Sequence, residues 1–175
     1  MRTLLTLTFA VLLASPAPAD TVEANASAHV AASPERVLAL LADFDSWGRV
    51  FRSVETLSTE RCAPQRARVR QRVHRAGLTF AYTLAATVDP AARRVDLQLD
   101  PSEPSDMELV TSTWRVDPHP DGGAFIQLRV QSRTRLRVPA FLERRIAEST
   151  ARDSLDELVR ALEHVAALGS AVGES

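Results

Sequence analysis

Along most of this chain, polar and apolar residues alternate with a period of two, and the alternating region is flanked by stretches with helical spacing. From Thr21 to Val30 small and polar residues alternate, placing Ala24, Ala26, Ala28 and Val30 on one face of a strand. Ser33-Pro34-Glu35 then carries helix-start chemistry: a serine cap, proline at the first helical position and an acid in the first turn. Val37, Leu38, Leu40 and Leu41 give that helix an apolar face, and it stops near Asp43. A second short helical piece over 45–50 brings in Phe44 and Trp47. The period then changes to two and predicts strands over 53–61, 66–75, 78–88, 93–99, 107–117 and 124–138. Ala63-Pro64, Ala76-Gly77, Asp89-Pro90, 101–105 and 118–123 separate them with turn chemistry, so the strands form an antiparallel meander. Pro139 ends the last strand. Ala140 to Leu168 has no Pro or Gly and reads as a long helix, followed by a disordered tail over 169–175.

This order defines an α+β domain over 20–168: a seven-stranded curved antiparallel sheet wrapped around a long C-terminal helix, with two short helices after strand one. Only the last helix is long enough to cover the apolar face of the sheet, so the space between them is the candidate site. Alternation names its walls. The inward set is Ala67, Val69, Gln71 and Val73 on one strand, and Leu78, Phe80, Tyr82, Leu84, Ala86 and Val88 on the next. Val95, Leu97 and Leu99 continue it, then Val110, Ser112, Trp114 and Val116, then Ile126, Leu128, Val130, Ser132, Thr134 and Leu136. The last helix turns Ala147, Ala151, Leu155, Leu158, Leu162 and Val165 to the sheet. That face is small in its first half and large in its second, which predicts a lopsided cavity near the helix start. The candidate ligand-binding residues are therefore Val69, Gln71, Phe80, Tyr82, Leu84, Leu97, Trp114, Ile126, Leu128, Ser132, Ala147 and Ala151. Apolar walls with a few oriented polar groups describe a ligand pocket, and equally a core with hydroxyls bonded to backbone.

Two runs carry a family resemblance. Residues 31–37 (Ala-Ala-Ser-Pro-Glu-Arg-Val) and 41–47 (Leu-Ala-Asp-Phe-Asp-Ser-Trp) resemble the opening of polyketide cyclase/dehydrase-like and coenzyme Q-binding START-type domains. Their superfamily (SRPBCC) includes START lipid carriers and the birch pollen allergen. Trp114-Arg115-Val116, Pro118, Gly122-Gly123 and Val138-Pro139 before the final helix match its second half. The resemblance spans roughly 22–165 and implies a helix-grip fold with a hydrophobic cavity between sheet and helix. The glycine-rich loop of some relatives is absent. Because one fold hosts many activities, the resemblance implies a cavity without choosing its use.

Chemistry for a reaction is sparse. None of the inward strand residues above is Asp, Glu, His or Cys, so no catalytic residue is assigned. The histidines have no metal-ligand spacing, no cofactor or metal is expected, and there is no Lys for Schiff-base chemistry. Cys62 is the only cysteine. The expected function is binding or transport of an apolar small molecule: lipid, quinone, sterol-like or polyketide-like. One alternative is an aromatase/cyclase in which Tyr82 polarises a carbonyl, with Arg115 joining it only if that strand's register is off by one. Another is a protein-interaction module with a filled core.

A net charge of −1 over 175 residues predicts no attraction to nucleic acid. Two outward rows, Arg66, Arg68, Arg70 and Arg72, and Arg129, Arg133, Arg135 and Arg137, suit either an anionic membrane surface or cross-pairing with Glu55, Glu60 and Asp96. Arg2, the apolar run from Leu4 to Ala14 and Ala17-Pro18-Ala19 read as a signal peptide over 1–19, too short to span a bilayer. Cleavage after Ala19 would place the domain in the periplasm or outside the cell. The oligomeric state is left open.

Overall fold

The computed structural model describes residues 21–136 and 138–172, the stretch 165–172 by its backbone. The leader expected at 1–19 lies outside the described residues, as does the end of the tail, 173–175. The chain runs β1 (Val22–Val30), α1 (Pro34–Ala42), a 3-10 turn (Phe44–Ser46), α2 (Trp47–Val50), β2 (Val54–Ala63) and β3 (Arg66–Arg75). It continues through β4 (Leu78–Asp89), β5 (Arg94–Leu99), β6 (Met107–Pro118), β7 (Ala124–Thr134) and α3 (Ala140–Val172). All seven strands form one sheet in the order β1-β7-β6-β5-β4-β3-β2, antiparallel throughout. This is the helix-grip fold.

Local chemistry sets the element ends. Ser33 caps α1 by accepting a hydrogen bond from the Arg36 amide at 3.3 Å, with Pro34 at the first helical position. Ala76 and Gly77 close the β3–β4 hairpin with φ of 50° and 76°, the left-handed pair that a two-residue turn needs to follow strand twist. Two expectations are corrected here. β7 stops at Thr134 rather than 138, because its neighbours run out: β1 begins opposite Ser132 and β6 opposite Thr134. The Thr134 hydroxyl then accepts from the Leu136 amide and turns the chain, so Leu136, expected inward, is 43% exposed. The final helix also continues through Gly169 to Val172, past the point where a tail was expected to begin.

The core lies inside the curl of the sheet. α1 seats the fully buried Val37 and Leu41 against β5, β6 and β7. Phe44, Trp47, Phe51 and Trp114 form a chain of ring contacts with centroids 5.2, 5.4 and 6.1 Å apart. The Trp47 indole donates to the Leu41 carbonyl at 3.1 Å, so its one polar atom is matched. α3 packs chiefly on β1 and β7 through Ala151, Leu155, Leu158 and Leu162. Glu157 of α3 accepts from the Arg52 amide at 3.2 Å, tying the helix to the start of β2.

The β6–β7 turn docks on the end of β1. The His29 ring nitrogen Nε2 lies 3.0 Å from the Gly122 carbonyl, and the His29 and His119 rings meet at a tilt of 51° with centroids 4.1 Å apart. Gly123 has φ of 76°, and a Cβ there would lie 2.1 Å from the Val30 carbonyl oxygen. Both conformation and space demand glycine. Gly123→Ala should therefore destabilise the fold by about 2–4 kcal/mol in urea unfolding. A loss under about 0.5 kcal/mol would mean the turn is free to shift.

Candidate functional site

α3 covers the β1–β7 side of the sheet, and Ala147 and Ala151 keep its first turns slim. Open space remains against β3, β4, β6 and β7, in two lobes. The outer lobe, about 80 Å³, lies between the start of α3 (Glu143, Ile146, Ala147, Thr150) and Phe80, Met107, Val110, Ser132 and Thr134. The inner lobe, about 90 Å³, is walled by Trp47, Phe51, Leu84, Leu97, Trp114 and Leu128 with Gln71, Ser53, Ser112 and Ser154. Val73, Arg75, Tyr82, Val110, Val130 and Thr150 line both lobes and mark their junction. The outer lobe lies beside Ala147, on the small part of the helix face, and the inner lobe beyond it is of similar size.

Of the residues expected to line the space, Gln71, Leu84, Leu97, Trp114 and Leu128 face the inner lobe. Phe80, Ser132 and Ala147 face the outer lobe, and Tyr82 faces both. Val69, Ile126 and Ala151 do not line either lobe; at 0, 0 and 1% exposed, they are packed core. Arg115 is exposed and pairs with Asp117 at 3.0 Å, so the β6 register is as the alternation predicts.

Three ionisable residues of the cavity wall were not among those expected: Arg75, Arg133 and Glu143. Arg75 and Glu143 had a signal. Arg75 is the next inward position after Ala67, Val69, Gln71 and Val73, and Glu143 lies four residues before Ala147 on the same helix face. Arg75 is largely buried, its side chain 13% exposed, and its Nη1 donates to Asp153 of α3 at 3.1 Å. Its Nε is buried without a hydrogen-bond partner, and so are Gln71 Oε1 and Ser53 Oγ. Buried polar atoms are almost always matched, so unmatched ones along one cavity are informative.

Tyr82 stands opposite Gln71 in the β3–β4 register. Burial pushes its hydroxyl above the ordinary 10.0; the hydrogen bond with Gln71 and the charge of Arg75 pull it down but do not prevail. At neutral pH Tyr82 is thus a hydrogen-bond donor inside an apolar space. A phenol held protonated beside a guanidinium can grip an oxygen atom of a ligand. It cannot act as a base.

The outer face behaves differently. Arg68 meets Asp100, Glu103 and Glu60 at 2.9, 3.0 and 3.9 Å; Arg72 meets Glu55 at 2.8 Å; and Arg133 meets Glu108 at 2.7 Å. Arg129 meets Glu23 at 2.8 Å and, with Gln131 and Asn25, holds that carboxyl down to about 2. Cross-pairing occupies these four arginines, while Asp96 pairs with Arg94 instead. Arg66, Arg70 and Arg135 have no acidic partner among the described residues, and Arg137 lies outside them.

The architecture is that of START-type proteins. A START superfamily protein from Mycobacterium smegmatis superposes with a TM-score of 0.67 at 17% identity, over 82% of this chain and 98% of its own. An aromatase/cyclase from Streptomyces sp. R1128 gives 0.69 at 19% identity, over 82% and 94%. A STAR-related lipid transfer protein from Xanthomonas axonopodis gives 0.67 at 12% identity, over 79% and 84%. At these identities the likeness is one of fold. The chain belongs to the polyketide cyclase / dehydrase and lipid transport family, which matches residues 21–166. Among curated protein sequences none matches it.

The Gln71–Tyr82 contact can be weighed by mutation. Gln71→Leu alone should cost about 1–3 kcal/mol, because it strands the buried Tyr82 hydroxyl. Adding Tyr82→Phe should recover most of that loss, since both polar partners are then replaced. Equal losses that simply add in thermal unfolding would show that the two side chains do not interact.

Proposed function

We propose that this protein binds and carries an apolar small molecule in the two-lobed cavity between sheet and helix. The observation that supports this most strongly is the combination of apolar walls with unmatched buried polar atoms at Gln71, Ser53 and Arg75. A core evolved only for stability would be filled and matched, because each void and each orphaned polar group costs stability. A site awaiting a ligand leaves both. Beside the outer lobe, Leu136 is 43% and Phe141 74% exposed on either side of the link into α3, an apolar rim suited to receiving such a ligand. The family includes both lipid transport and cyclisation, and the binding reading requires no base.

The cyclase alternative rests on Tyr82 and Arg75 together, a donor pair able to polarise a ligand carbonyl. It predicts turnover of a poly-ketone analogue that disappears in Tyr82→Phe. Binding without turnover supports the carrier.

The direct test uses toluene, an uncharged single-ring probe whose uptake calorimetry can follow. The wild-type protein should bind it, and Ala147→Leu, which grows a side chain into the outer lobe, should weaken binding at least tenfold. Added bulk in a core commonly costs about 1–3 kcal/mol, so the variant's unfolding midpoint is measured alongside. Undiminished binding by a folded Ala147→Leu would move the site elsewhere.

A further inference from the structure

Both lobes are walled mainly by apolar side chains, and one cationic side chain stands at their junction. Arg75 ends β3, lines both lobes and stands beside Tyr82 at their junction. A guanidinium has five N–H donors in a rigid fork, and two edges of that fork can each meet a carboxylate. Asp153 is engaged through Nη1 at 3.1 Å, on one side of the fork. Nε, on another edge, is buried without a hydrogen-bond partner. Asp153 thus takes one of the five donors, and a guanidinium with donors to spare can receive a second carboxylate.

The surroundings sort head from tail. Next to Arg75 the inner lobe offers Leu84, Leu97, Trp114 and Leu128, an apolar wall with ring and aliphatic faces. The outer lobe carries the charged neighbours, Arg133 and Glu143. Arg133 is already committed to Glu108 at 2.7 Å. Among the described residues Arg75 is the cationic side chain in the wall of the inner lobe. Its counter-ion Asp153 is 46% exposed, so water screens its pull, and an anion arriving from within the cavity meets the same guanidinium with less screening.

Size limits the occupant. A cavity of about 150 Å³ holds one benzene. The lobes, about 80 and 90 Å³, together suit a single ring or a short branched chain with a compact head.

We propose that the ligand is a compact apolar acid, its carboxylate on the Arg75 guanidinium and its apolar body in the inner lobe. The Tyr82 hydroxyl lies beside the same oxygen atoms as a second donor. This rests on the carrier reading above and deepens it, since it assigns the head of the ligand as well as its body.

The probes are 4-phenylbutyrate and 4-phenylbutanol, which share a body and differ in the head, each titrated against bound toluene at pH 7.5. For the wild-type protein the acid should displace the probe at a concentration at least tenfold below that of the alcohol. In Arg75→Met this advantage should vanish. Asp153→Asn, a change at a half-exposed position, should tighten the acid several-fold and leave the alcohol where it was; it keeps the test alive if Arg75→Met does not fold. Equal displacement by acid and alcohol in the wild-type protein, or an acid preference that survives Arg75→Met, overturns the carboxylate site while leaving the carrier intact. If neither compound nor the probe binds, the carrier reading falls, and the acid site with it.

Discussion

One helix cannot cover seven strands. At about 4.8 Å between neighbouring strands the sheet is roughly 29 Å wide, whereas a helix with its side chains is about 10 Å across. Every other feature of this fold answers that mismatch. The sheet curls; α3 takes the β1–β7 side; α1 takes the stretch over β5 and β6; and the aromatic run from Phe44 to Phe51 fills toward β2. What these pieces leave uncovered, against β3 and β4, is the cavity.

The size of the remaining space is then a matter of side-chain choice on α3. Leu155, Leu158 and Leu162 press the second half of the helix onto the sheet, each at most 3% exposed. Ala147 reaches less far, so the sheet and helix part at the helix start and the outer lobe opens there. Larger residues would close it and would gain stability by the usual relation between cavity volume and free energy. The chain does not use that gain; the unmatched Arg75 atom belongs to a residue at the junction of the lobes, and that of Gln71 to one on the inner lobe. Voids and unmatched polar atoms each lower stability, and the proposed ligand would offset part of that loss.

Much of this was legible in the amino-acid sequence because period-two alternation is a strong signal when one face is buried. Leu78, Phe80, Tyr82 and Leu84 point inward from β4, and Val110, Ser112, Trp114 and Val116 from β6, as their spacing requires. Alternation cannot tell a wall from a plug. Val69 and Ile126 share a face with cavity residues yet are sealed off, because that depends on what α1 and α3 place above them. Arg75 and Glu143 show the opposite failure. Periodicity places both inward, but a charged residue sits in an apolar wall only with a partner, and for Arg75 that partner is Asp153, which local spacing cannot reveal. Leu136 failed for a third reason: a strand keeps its alternation only while a neighbouring strand remains to pair with it.

Members of this family share the grip of sheet on helix and use the enclosed space in different ways, so the space itself is the central claim. Diffraction from a crystal held under xenon tests it most directly, because xenon enters apolar cavities that water leaves empty. Xenon should occupy sites on both sides of Tyr82, one near Ala147 and one near Trp114. A fully packed interior with no xenon between α3 and β4 would contradict it.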